Sequence, residues 1–218
     1  VPHRAAEVAA GSLTELGLVG LLTAGATGDG AGWVTAHGWA DLAADRPLLP
    51  EHPFPAYAIT ELVTATAVLR LVADGRVGLD EPANAYLRTV RLADDAITVR
   101  QLLSHTDGVD NPDPLFADHV PELVDVIGSV AACGGRRGTF DYRYGGYATL
   151  GAVIADVTGS PYADAATTMV LEPLGMTGSW FPPRPPAGPV TGHRLTDAGV
   201  FEPEPTRVST VPSVGGGG

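Results

Sequence analysis

One apolar helix limits what this chain can become more than any other feature. From Thr60 the run Thr-Glu-Leu-Val-Thr-Ala-Thr-Ala-Val-Leu-Arg-Leu-Val-Ala-Asp-Gly reads as a single helix ended by Gly75, because glycine enters the left-handed conformation without steric cost. Leu62, Ala65, Leu69 and Val72 recur at the i, i+3, i+7 spacing of a buried face. Val63, Ala67, Val68 and Leu71 make the other sides apolar too, and a helix apolar nearly all round belongs inside a domain.

A chain of 218 residues, 44% of them hydrophobic, is long enough to close one sizeable core around such a helix. No apolar run reaches the length of a membrane span, so no membrane partner is expected. A formal net charge of −12 and a pI near 4.7 repel phosphate backbones and anionic lipid, which argues against nucleic acid as a partner. The six histidines show no metal-ligand spacing, and no metal or other cofactor is expected. Cys133 is the single cysteine; an inert, buried thiol near a helix end is its expected role. No signal sequence opens the chain at Val1. A cytoplasmic protein is the expectation, with export after removal of a leader the alternative.

Along the chain, residues 16–23 form a short apolar run bounded by glycines, and residues 33–40 a second one; together they read as two strands of a hairpin turning at residues 24–32. Residues 41–55 are proline-rich loop. Thr98 opens a short helix with a capping box, its hydroxyl accepting from the Gln101 amide while Gln101 reaches back, and that helix ends near His105. Helices are also predicted at 121–132 and 147–157, the second stopped by Gly159, and after Ser160-Pro161, with Ser160 as N-cap and the proline in first position. Residues 181–189 read as loop, and His193 as a surface-loop residue able to contact a ligand.

Four ordered blocks carry a family resemblance: Leu79-Asp80-Glu81-Pro82, the stretch Ile97-Thr98-Val99-Arg100-Gln101-Leu102-Leu103-Ser104-His105-Thr106-Asp107-Gly108, Tyr147-Ala148-Thr149-Leu150-Gly151, and Pro173-Leu174-Gly175-Met176. Together with the phenylalanine-led entry into the apolar helix, the chain resembles the serine β-lactamase and penicillin-binding-protein family in its class C and esterase-like branch, from about Gly11 onward. The resemblance implies an α/β fold of α+β type. An antiparallel sheet begins at 11–55, a helical lobe spans 56–180, and 181–218 returns to the sheet within a single domain. It also implies further strands and a last helix, so the polypeptide is expected to be completed by a further segment.

The resemblance implies Ser-x-x-Lys where this chain has Ala58-Ile59-Thr60-Glu61, and Tyr-x-Asn where it has Tyr142-Arg143-Tyr144. A serine hydroxyl needs a neighbouring base before it attacks; Ala58 has no oxygen, and Glu61 cannot act as the cation. A carboxylate at the lysine position and a guanidinium in the second motif suggest a Glu61–Arg143 ion pair. That pair either neutralises a buried site or takes part in chemistry. On the chemical reading Glu61 is the general base, Tyr142 the acid or oxyanion donor, and Arg143 a stabiliser of developing negative charge. Tyr57, Ala58, Tyr144, Asp107 and His193 would line the pocket, while His105 reads as a structural histidine rather than a base. Three functions follow as rivals. The first is a non-covalent, cofactor-free acid–base enzyme of isomerase, lyase or cyclase type acting on a small molecule. The second is a silent binding or scaffold module, and the third an atypical serine hydrolase.

Overall fold

The computed structural model describes residues 2–30, 32–111, 134, 136–181, 188 and 190–204, with side chains from 7 onward except Thr14. The expected helix at 121–132, Cys133 and the tail beyond 204 lie outside these residues. Two compact units form, one from the described residues of Val1–Phe54 and Pro186–Arg207, the other from those of Pro55–Pro185.

In the first unit, α1 (Pro2–Leu16) precedes β1 (Gly20–Ala26) and β2 (Gly32–Asp41). The two strands pair antiparallel, Gly20 facing Gly38 and Thr23 facing Thr35, whose hydroxyls hydrogen-bond at 2.7 Å. β3 (Arg46–Pro47) adds to the other edge of β2. The hairpin is as expected, but its first strand starts later. The apolar run at 16–23 straddles a helix end, which Gly17 makes at φ 59° with Leu18 N–H donating to Leu13 carbonyl oxygen. Hydrophobicity alone cannot mark such a break.

A second hairpin, β4 (Gly192–Leu195) with β5 (Phe201–Glu204), corrects the loop expected at His193. Four-residue strands are too short to show alternation, and the turn is closed by Thr196 and Gly199. Thr191 N–H donates to Ala40 carbonyl oxygen at 2.8 Å and ties this hairpin to the end of β2. An apolar cleft of about 390 Å³ lies in this unit, lined by Leu13, Leu18, Val19, Trp39, Leu42 and Phe201 with Gly17 and Gly38. No titratable side chain borders it.

The second unit is helical. A single 3₁₀ turn, Tyr57–Ile59, runs into α2 (Thr60–Ala73), with Gly75 at φ 69° just beyond. α3 (Val99–Leu103) carries the expected capping box, Gln101 N–H donating to Thr98 Oγ1 at 3.3 Å and Thr98 N–H to Gln101 Oε1 at 3.1 Å. α4 (Gly145–Thr158) is buried on every side from Gly145 to Ile154 and ends at Gly159 with φ 74°. α5 (Tyr162–Ala166) continues into a π-helical turn, Thr167–Leu171. Its N-cap is Pro161, not Ser160, and no side chain caps it. Proline at ψ 145° is already extended, so the helix begins one residue later than serine capping would place it.

The core gathers Val68 and Leu71 of α2, Val99 and Leu102 of α3, Leu150, Val153 and Ile154 of α4, and Tyr162 and Ala166 of α5. The inward face of α2 corrects the expected one. Leu62 and Leu69 are exposed, whereas Thr60, Glu61, Thr64, Ala67, Val68 and Leu71 are buried. On a helix apolar all round, periodicity cannot choose a side. Here the choice is made by polar groups with partners: Thr64 Oγ1 bonds Tyr162 Oη at 2.7 Å, and Glu61 meets its own partners below. Among the described residues no helix is long and apolar enough to cross a membrane.

Candidate functional site

The second unit brings together the first turn of α2, the turn after α3 and the segment entering α4. The chain arrives at α2 through Tyr57, whose φ of 45° is uncommon for a residue with a side chain. Tyr57 and Ala58 are exposed. Glu61, in the first turn of α2, is 7% exposed. The first N–H groups of α2 are taken up by the preceding 3₁₀ turn, Ile59 N–H donating to Ala56 carbonyl oxygen and Thr60 N–H to Tyr57 carbonyl oxygen.

Glu61 Oε2 accepts a hydrogen bond from Tyr142 Oη at 3.0 Å. The same oxygen lies 3.7 Å from His105 Nε2. Glu61 Oε1 is buried and has no hydrogen-bond partner among the described residues. Burial therefore raises the Glu61 pKa above its ordinary value, against the opposing pull of the Tyr142 hydroxyl and of the His105 charge. Tyr142 is 54% exposed, yet its hydroxyl turns inward. Burial of that end and the hydrogen bond and charge of Glu61 raise its pKa as well. Tyr147, whose hydroxyl donates to Leu103 carbonyl oxygen at 3.0 Å, is pushed up to about 12, first by burial and then by the Glu61 charge.

His105 ends the α3 turn in the left-handed region, φ 53°. Its ring stacks on Tyr147 (centroids 4.9 Å apart, planes 27°), leans on Tyr142 (4.6 Å, 49°) and meets Phe140 edge-on (6.1 Å). Its Nδ1 lies 3.1 Å from the Arg143 carbonyl oxygen. The histidine read as structural in the sequence is thus at the centre of the site. Its signal was its place two residues past a capped helix.

The expected Glu61–Arg143 ion pair is corrected. Arg143 Nε donates to Asp141 Oδ2 at 2.8 Å, and its Nη1 pairs with Asp110. Two nearer carboxylates satisfy the guanidinium, and its planar fork can serve both. Glu61 Oε2 instead has the Tyr142 hydroxyl at 3.0 Å and His105 Nε2 at 3.7 Å. Asp107, expected to line a pocket, is 4% exposed and accepts from Val109 N–H at 2.7 Å; burial raises its pKa. This is a turn-forming aspartate. Tyr144 is half-buried, its N–H donating to Asn111 Oδ1 at 2.9 Å. His193 sits on β4 in the first unit, its Nε2 accepting from Leu42 N–H at 3.4 Å. Among the described residues no group of three His, Cys, Asp or Glu side chains could hold a metal ion.

Glycine makes the approach to α4 possible. A Cβ on Gly145 would lie 2.0 Å from the Asp110 carbonyl oxygen, and one on Gly146 would lie 2.7 Å from Asp107 Oδ2. The turn carrying His105, Asp107 and Asp110 can therefore lie against the start of α4, next to Tyr142 and Arg143.

An antiparallel hairpin sheet and a helical unit around one buried helix are the architecture of penicillin-binding-protein-like folds. Residues 7–218 match the family model described as Beta-lactamase, and the chain belongs to that family. Esterase EstB of Burkholderia gladioli is 31% identical over 172 residues, covering 67% of this chain and 43% of its own. The putative penicillin-binding protein PbpX of Bacillus subtilis is 31% identical over 119 residues, 54% of this chain and 30% of its own. Among solved structures, the D-amino acid amidase of Ochrobactrum anthropi SV3, complexed with L-phenylalanine amide, superposes with a TM-score of 0.78 at 26% identity, covering 89% of this chain and 57% of its own. The chain spans less than half the length of these two curated relatives.

Proposed function

We propose that this chain is an acid–base catalyst acting on a small molecule without a covalent intermediate, with Glu61 and Tyr142 as the reacting pair. The observation that carries this reading is a tyrosine, exposed over half its surface, whose inward-turned hydroxyl is hydrogen-bonded at 3.0 Å to a buried carboxyl. Ala58 and Glu61 stand where the family resemblance implies a serine and a lysine. There is then no hydroxyl at that point to acylate and no amine to activate one.

The pair can move a proton in either direction. With Glu61 ionised, Tyr142 donates inward and turns oxygen lone pairs outward. A substrate proton can then pass to the phenol oxygen as the phenol's own proton passes to Glu61. With Glu61 protonated, the carboxyl donates to the phenol oxygen, and the Tyr142 proton points outward as an acid. Because the two transfers are coupled, no free phenolate need form. Taking a proton and returning it leaves the site unchanged, which suits isomerisation, elimination or cyclisation. Arg143, held by Asp110 and Asp141, supports the segment rather than reaching for substrate.

The test is deuterium wash-in. The protein is incubated in D₂O with a panel of small carbon acids, cyclic 1,3-dicarbonyls and N-acyl amino acids, and exchange is read by NMR. The expected result is exchange above buffer that falls by about 10²–10⁴-fold in Glu61→Gln and by at least as much in Tyr142→Phe, which removes the oxygen that meets the substrate. Exchange unaffected by Glu61→Gln would overturn the reading. A second reading, hydrolysis through another nucleophile, is favoured by the 31% identity to an esterase; a stable fluorophosphonate adduct in intact mass would establish it in place of the first.

A further inference from the structure

His105 lies inside this site and takes no part in the pair just described. Its protonation can be read from geometry. Nδ1 faces the Arg143 carbonyl oxygen at 3.1 Å; a carbonyl only accepts, so Nδ1 carries a hydrogen. The neutral ring then presents a bare Nε2 lone pair to Glu61 Oε2 at 3.7 Å. An ionised Glu61 would meet it acceptor to acceptor. A proton added to Nε2 turns that repulsion into an ion-pair attraction, and one added to Oε2 removes the charge of the carboxylate. The ring cannot turn away, since Tyr147, Tyr142 and Phe140 pack around it and only 11% of its side chain is exposed.

We propose that His105 and Glu61 share a single proton, and that its position sets whether the phenol oxygen of Tyr142 works as a base or as an acid. This rests on the acid–base reading and supplies the group that controls it. When the proton sits on Nε2, Glu61 is a carboxylate, Tyr142 donates inward, and the outer face of the phenol accepts. Transfer breaks the Nε2–H bond and forms an Oε2–H bond. Glu61 then donates to the phenol oxygen, and the Tyr142 hydroxyl swings outward as a donor. One proton moves, and no electrons are exchanged with any other group. His105 acts through Glu61 and Tyr142, so it is a positioning residue and a proton store. The groups facing its ring are Glu61 from α2, Asp107 from its own turn, Tyr142 and the Arg143 main chain from the segment before α4, and Tyr147 from α4. The Arg143 guanidinium is turned to Asp110 and Asp141.

The experiment follows the whole 218-residue protein by NMR without any ligand, with ¹⁵N in the imidazoles and ¹³C in the glutamate carboxyls. In the wild type, Nε2 of His105 and the carboxyl of Glu61 are expected to titrate over one shared interval while Nδ1 stays protonated. In Glu61→Gln the His105 step moves to lower pH, because the carboxylate favouring the imidazolium is gone. In His105→Gln the Glu61 step moves to higher pH, because the imidazolium favouring the carboxylate is gone. A histidine that is only an ionic neighbour would also shift in the variants but would titrate in a step of its own in the wild type, and separate wild-type steps overturn the proposal. Should His105→Gln fail to fold, the wild-type and Glu61→Gln titrations decide alone. Coupled titration without any deuterium wash-in would retain the shared proton and refute the catalytic reading. Wash-in with uncoupled titration would do the reverse.

Discussion

Glu61 illustrates how one side chain sets both the stability and the chemistry of this unit. Its carboxyl is buried, one oxygen has no partner among the described residues, and its pKa lies above the ordinary 4.5. The folded state therefore holds this proton more tightly than the unfolded chain does. Stability contributed at Glu61 is present below pH 4.5 and is lost as pH rises through the raised folded value. Glu61→Gln keeps an acceptor for Tyr142 and removes the charge. The variant is expected to be more stable than wild type at neutral pH by on the order of 1 kcal/mol, the scale of one poorly solvated buried group. The two proteins should converge below pH 4.5, as read from urea midpoints. The same residue shows where sequence reading reached its limit. Its importance was visible as an acid in the first turn of an apolar helix; its partner was not. Arg143 was the attractive choice by charge, but Asp110 and Asp141 were closer to it, and the histidine 44 positions from Glu61 came to the site through a left-handed turn that no periodicity announces.

Helix α2 separates the apolar positions that hold the fold from those that do not. Leu71 is fully buried within the core of the helical unit, while Leu62 is 68% exposed on the same helix. Truncating Leu71 to alanine is expected to cost about 2–5 kcal/mol. Leu62→Gln should stay within about 0.5 kcal/mol of wild type; thermal unfolding of both variants checks the contrast. Elements with their own local signals were legible in the sequence. The capping box of α3, the glycine stops after α2 and α4, and the β1–β2 hairpin all rest on short-range chemistry. Other elements were hidden for physical reasons. The four-residue strands of the second hairpin are too brief to alternate, the end of α1 lies within an apolar run, and the inward face of α2 is chosen by tertiary partners such as Tyr162.

Across the molecule two sets of acids oppose each other. Burial raises Glu61 and Asp107, which cost stability as pH rises above 4.5 and 3.8. Asp41, Asp80 and Asp95 are lowered, mainly by hydrogen bonds from the Ala44 amide, Arg100 and Asn84 respectively. Their contribution is present above 3.8 and lost as pH falls through their folded values. Both sets favour the fold together only in mildly acidic solution, where the net charge of −12 is also being neutralised. Denaturant midpoints should therefore peak near the ordinary carboxylate values of 3.8 to 4.5 and decline toward neutrality. A second decline is expected as pH rises from 10 toward about 12, where Tyr147 and Tyr162 ionise less readily folded than unfolded. A midpoint that climbed steadily from pH 5 to pH 8 would contradict this opposition.

The paired glycines at the start of α4 carry a consequence for substitution. Gly145 leaves no room beside the Asp110 main chain, and Gly146 none beside the Asp107 carboxylate. A methyl at Gly145 would displace the Asp110 main chain, whereas one at Gly146 would displace the Asp107 carboxylate. Gly145 thus ties the loop bearing the histidine to the helix it rests on, and a larger residue there would force the two apart.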